Sequence, residues 1–232
     1  MTEPPSTLST TSTDAAVIDD ALLAALDPYV PPLRGLGRIG VLGGSFNPPH
    51  LGHLLIATAV YAVEDIDHLW IIPTANHAFG KDLAPFADRV RMCHLAFRHL
   101  AGGAAILDIE GRLPTPSYTV TLLRVLHALR PGIKPMWIAG SDVLADLPRW
   151  KEPDEVQRLA RFVVVPRRGF EGGAKLGIDL PQLSSTDVRT LLHEGKSVEG
   201  LVDREVLAYI ARRELYALSD VERTETTTAP SA

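Results

Sequence analysis

One cysteine, Cys93, stands in a chain of 232 residues, so no internal disulfide can form and a reducing cytoplasm is the expected compartment. No apolar run approaches the ~20 residues that cross a bilayer, so no membrane partner is expected. Basic residues are not in excess. Lys and Arg number 23 against 28 Asp and Glu, and the net charge of −5 argues against nucleic acid as a partner. Small anionic substrates remain compatible, because the local field matters more than the total. The opening MTEPPSTLSTTST has no basic residue and no apolar core, so it does not read as a secretory signal. No internal repeat is present. What remains, 46% hydrophobic and 22% charged, is ordinary for a globular domain long enough to bury a full core. A homo-oligomer is left open.

Ten of the first thirteen residues are Ser, Thr or Pro, which predicts a leader over 1–37 that is disordered or partly helical. Within it Asp14 could cap a short helix through Leu26, ended by Asp27-Pro28, with PYVPPLRGLG as a linker. One domain is expected over 38–218 and a disordered tail over 219–232. Inside the domain, apolar strand candidates (Ile39–Leu42, His68–Pro73, Ala105–Ile109, Pro135–Ala139, Phe162–Val165) alternate with helical patterns. Those patterns are Leu51–Val63, Phe86–Leu100, Tyr118–Leu129 and Pro153–Leu159, followed by Ser185–His193 and Asp203–Arg213. Short continuous apolar runs suit parallel strands covered on both faces. The fold class is therefore α/β, a doubly wound parallel sheet with C-terminal helices.

The run GGSFNPPHLGH, Gly43 to His53, sits at the first strand-to-helix junction. Gly43 and Gly44 allow close backbone approach to a ligand. Pro48 and Pro49 stiffen the loop and delay the helix. His50 and His53, three apart, would share a face of the first turn, whose unpaired N–H groups attract anions. Zinc would need ligands beyond His-x-x-His, and Cys93 suggests no partner for it. Purely structural histidines are another reading. A dinucleotide turn is disfavoured because the prolines occupy the place where its helix would start. Phosphate contact fits this stretch best.

Other pieces could complete such a site. Ser117 is a plausible cap that would leave the N–H groups of Tyr118 and Thr119 pointing outward, although an ordinary capped helix explains the triplet as well. In the loop IAGSDVLADLPRW, Gly140 permits close approach and Asp142 offers a carboxylate for ribose hydroxyls. Trp150 offers a flat surface for an aromatic ring, or simply core packing. Arg167 and Arg168 follow another strand and could meet phosphate. In SSTDVRTLL, Ser184 or Ser185 would cap a helix. Ser185, Thr186, Arg189 and the free N–H groups could then hold phosphate oxygens, and a well-capped surface helix is the alternative.

GGSFNPPHLGH resembles the signature of the nucleotidyltransferase superfamily. The order of PSYT, GSDVLADLPRW, VVVPRRGF, SSTDVR and LVDREVLAYIARRELY is similar to its bacterial nicotinate mononucleotide adenylyltransferase family, from about Arg38 to Leu218. The resemblance implies a Rossmann-like nucleotidyltransferase fold. It also implies adenylyl transfer from ATP to nicotinate mononucleotide, with Mg2+ carried by the ATP phosphates and no metal held by the protein. It further implies that His50, His53 and Arg189 are catalytic. Gly43, Gly44, Ser45, Phe46, Gly140, Asp142, Ser185 and Thr186 would bind ATP; Tyr118, Thr119, Trp150 and Lys81 would bind the acceptor. Two departures stand out. ANHAFGKDLAPF replaces the usual Pro-Pro-His-Lys loop, leaving its role to His77 and Lys81, and Asn47 stands where aspartate is common. A nicotinamide mononucleotide acceptor and a non-catalytic nucleotide-binding protein on the same fold are the rival expectations. A pantetheine-phosphate or cytidylyl transferase would leave PSYT and Trp150 without purpose.

Overall fold

The computed structural model describes residues 18–33, 35–76, 82–100, 102–116, 118–165 and 181–216. Five parallel strands form one sheet in the order β3-β2-β1-β4-β5. They are β1 (Arg38–Gly44), β2 (His68–Pro73), β3 (Ala104–Ile106), β4 (Lys134–Gly140) and β5 (Arg161–Val165). Register is tight around the centre, with Val41 opposite both Trp70 and Trp137. The order reverses between β1 and β4, and a crevice opens beyond the carboxyl ends of the strands at such a point.

The helices are α1 (Asp20–Leu26), α2 (Leu51–Val63), α3 (Phe86–Ala96), α4 (Thr119–Leu129), α5 (Ser141–Asp146), α6 (Pro153–Leu159), α7 (Ser185–His193) and α8 (Arg204–Arg212). Alternation of side chains along each strand feeds two cores. Leu42, Leu69, Ile71, Met136 and Ile138 meet Val60 of α2, Met92 of α3, Val188 of α7 and Val206 of α8. Ile39, Val41, Trp70, Ile72 and Trp137 meet Leu26 of α1, Leu122 and Leu126 of α4 and Val156 of α6. Covering both faces is what makes the strand sequences apolar without alternation.

Several boundaries differ from expectation. The third strand ends at Ile106, because a 3-10 turn begins at Ile109 and continues to Arg112. The helix read as far as Leu100 stops at Ala96, with a separate 3-10 turn over Arg98–Leu100. The stretch after β4, read as a loop, holds α5 and a 3-10 turn over Leu147–Arg149. At the N-terminal side Asp19 caps α1, accepting the Leu22 N–H at 2.8 Å, whereas Asp14 lies outside the described residues. The stretch read as a linker is partly docked. Val30 is buried, and Arg130 at the end of α4 donates to the carbonyls of Asp27, Val30 and Pro31 and to the Asp27 carboxylate.

Candidate active site

β1 ends in two glycines, the first of them for a packing reason. A Cβ on Gly43 would lie 2.9 Å from the Trp137 ring. Phe46 then takes a left-handed backbone, φ +47°, which L-residues seldom adopt, and such strain concentrates at functional sites. Its ring is buried against His53, centroids 4.8 Å apart, and against Phe97. His50 is the extended N-cap of α2 rather than part of its first turn, yet its ring lies 3.8 Å from that of His53. The His50 backbone N–H donates to His53 Nδ1 at 3.2 Å. With Nδ1 occupied as acceptor, the neutral His53 ring carries its proton on Nε2, which makes that nitrogen a donor.

The N-terminus of α7 closes on this loop from the far side of the sequence. Ser184 is the cap: its Oγ accepts the Asp187 N–H at 3.1 Å, and its own N–H donates to the Asp187 carboxylate at 2.9 Å. Ser185 Oγ donates to the Pro48 carbonyl at 2.9 Å. Arg189 donates to the Asn47 carbonyl at 2.7 Å and to Thr186 Oγ1 at 3.3 Å. Segments more than 130 residues apart are thus stitched into one wall.

Across the crevice Tyr118 occupies the N-cap of α4 in extended geometry and the helix begins at Thr119. The expected cap, Ser117, lies outside the described residues. Trp150 follows the Leu147–Arg149 turn and meets the Trp137 ring edge to face at 6.4 Å. Gly140 ends β4.

Three buried charges, Arg89, Glu110 and Asp88, escaped sequence reasoning. Arg89 of α3 is 1% exposed and donates to the carbonyls of Ser45 (2.8 Å), Thr74 (2.7 Å), Ala75 (3.1 Å) and Ala84 (2.9 Å). One guanidinium therefore ties the loop after β1 to both ends of the β2–α3 connection at the crevice, and burial draws its pKa down. Glu110, also buried, accepts the Ala75 N–H at 3.1 Å. A signal for Arg89 existed: it falls on the stripe with Met92, Cys93 and Ala96, where a solvated arginine would not be. Asn47 joins the same scaffold. Its Oδ1 accepts from the Ala84 N–H at 3.0 Å and from the Tyr216 hydroxyl at 2.8 Å. Behind it, Asp88 accepts from Tyr209 at 2.7 Å and from Arg213 at 3.1 Å; the tyrosine bond foremost holds its carboxyl below the usual range.

These walls enclose an open cleft of about 1250 Å3, larger than the ~300–1,000 Å3 of a single small-ligand pocket. It is lined by Gly43, Gly44, Ser45, Phe46, His50, His53, Tyr118, Thr119, Gly140, Trp150, Ser185, Thr186 and Arg189, all residues expected at a site. Lys81, His77, Arg167 and Arg168 lie outside the described residues, as does the side chain of Asp142. Among the described residues, no three His, Cys, Asp or Glu side chains group as metal ligands, and no helix is long and apolar enough to cross a membrane.

Residues 41–191 match the cytidylyltransferase-like family. The chain belongs to it. Over 186 residues it is 39% identical to a probable nicotinate-nucleotide adenylyltransferase of Myxococcus xanthus, covering 80% of this chain and 98% of that one. Over 191 residues it is 42% identical to the protein of the same name from Anaeromyxobacter dehalogenans strain 2CP-1, covering 79% and 99%. Among solved structures it resembles Plasmodium falciparum nicotinic acid mononucleotide adenylyltransferase complexed with NaAD. There the TM-score is 0.68 at 20% identity, over 77% of this chain and 97% of that one. That likeness establishes the Rossmann-like nucleotidyltransferase fold, with its parallel sheet and flanking helices.

Proposed function

We propose that this family member transfers the adenylyl group of ATP to the 5′-phosphate of nicotinate mononucleotide, forming deamido-NAD and pyrophosphate in the cytoplasm. The observation that carries the reading is the seam between the His50–His53 loop and the Ser185–Arg189 turn, which puts donors from two distant segments on one side of the cleft. Tyr118, Thr119 and Trp150 face it across the switch point.

An oxygen of the acceptor phosphate attacks the α-phosphorus, forming one P–O bond while the bond to the β-phosphate oxygen breaks. The acceptor phosphate is already ionised near neutral pH, so no base and no covalent intermediate is needed. The protein contributes alignment and charge neutralisation. His53, donating from Nε2, and His50 meet the triphosphate above the Gly43–Ser45 loop. Ser185, Thr186 and Arg189 hold it from the α7 end of the same wall, exchanging their bonds to Pro48, Asn47 and each other for bonds to phosphate oxygens. Gly140 and Asp142 receive the adenosine ribose. Tyr118 and Thr119 offer backbone N–H groups to the nicotinate carboxylate, Trp150 stacks on the pyridine, and Lys81 supports the acceptor side. Mg2+ neutralises charge on the ATP phosphates and arrives with them, because magnesium keeps several waters and seldom needs a protein cage.

Purified protein, ATP and Mg2+ with nicotinate or nicotinamide mononucleotide give the test. Pyrophosphate release is expected with both acceptors and a higher kcat/KM with the acid. Preference for the amide would overturn the acceptor assignment. Nucleotide binding without pyrophosphate release would mark a non-catalytic protein.

A further inference from the structure

Lys151 follows Trp150 directly and lines the cleft, half-buried. Its Nζ stands over the Tyr118 ring, 4.6 Å from the centroid, so the aromatic face holds the ammonium beside the N-terminus of α4. Two of the acids that follow it are paired with arginines. Glu152 gives both carboxylate oxygens to Arg124, at 2.6 and 3.1 Å, and Glu155 gives both of its own to Arg158, at 2.6 and 2.7 Å. We propose that Lys151 is a specificity-determining residue that makes the enzyme favour an acidic pyridine mononucleotide over its neutral amide. This deepens the acceptor reading above and rests on it.

The physical basis is differential binding. A carboxylate at the first turn of α4 is drawn by the helix pole and by the ammonium held over Tyr118, and a carboxamide of the same shape has no net charge to answer either. Discrimination between acceptors is a ratio of kcat/KM values, so a group that attracts one acceptor alone shifts that ratio. Because the cleft is open, the attraction is screened by salt.

The test compares wild type, Lys151→Met, which keeps most of the stem and removes the charge, and Lys151→Arg, which keeps the charge. Steady-state kinetics with both acceptors are run at low and high ionic strength. In Lys151→Met the acid-to-amide ratio of kcat/KM should fall about tenfold, the scale of one charge-assisted hydrogen bond, through KM for the acid rather than through kcat. Lys151→Arg should restore most of the ratio. The wild-type ratio should decline with added salt more steeply than that of Lys151→Met. A wild type that prefers the acid and a Lys151→Met variant with the same ratio would overturn the role of Lys151 and leave the acceptor assignment standing. A wild type without preference for the acid would overturn the acceptor assignment itself.

Discussion

In the proposed function, His53 is a single side chain prepared for anions by its own backbone. The His50 N–H fixes Nδ1 as an acceptor, and packing against Phe46 and His50 limits the ring's freedom, so an Nε2 donor is presented before any ligand arrives. Replacing His53 by alanine should lower kcat by about 10²–10³, the scale for losing one preorganised donor, in a variant whose melting temperature shows it folded. Turnover near wild type in pyrophosphate release would end the assignment. At this scale the histidines, serines and glycines were legible because their spacing is local and their chemistry is plain. Arg89 and Glu110 were not, because a buried charge is recognised by the carbonyls and amides that surround it, and those come from loops scattered between Ser45 and Ala84.

Between elements, Asp67 joins the entrance of β1 to that of β2. It accepts from the Leu36 N–H at 3.0 Å, the Arg38 N–H at 2.8 Å and the Arg38 guanidinium at 3.0 Å. The Arg38 side chain foremost, and then its backbone N–H, pull the Asp67 carboxyl from 3.8 down to about 2. A carboxyl with a folded pKa below its unfolded one stabilises the protein at pH values above the unfolded pKa. That contribution is lost as pH falls through the window from 3.8 to about 2. Thermal melts of wild type and Asp67→Asn over this range should show the variant less stable at neutral pH and the two curves converging in acid. A constant gap down to about pH 2 would contradict the linkage. Elements themselves were readable because apolar runs and caps act within one turn or one strand. The α5 helix was missed: six residues ending ahead of a Leu-Pro-Arg turn leave too short a periodic pattern.

For the whole molecule, the segment ahead of β1 is part of the second core. Leu26 is 1% exposed there, and Arg130 clamps the turn that follows it. Leu26→Ala should lower stability by about 2–5 kcal/mol through the cavity it leaves, read as a shift in denaturant midpoint, with kcat within about twofold of wild type. A midpoint within error of wild type would mean that the docked leader contributes nothing. At the other end, Tyr216 reaches Asn47 and Tyr209 reaches Asp88, so α8 and the residues just after it brace the loop that holds Asn47 from behind.

Local pattern determined the succession of the strands and of the longer helices and the parallel sheet they imply, and it singled out Gly43–His53 as the candidate phosphate contact. Each rests on interactions between residues close in the chain. Only the tertiary structure decided that Arg189 reaches the Asn47 carbonyl, that Arg89 ties the loop after β1 to the β2–α3 connection, and that Lys151 stands over Tyr118. Those contacts depend on how elements cross the sheet, and no local spacing encodes the distance between side chains brought together from its opposite ends.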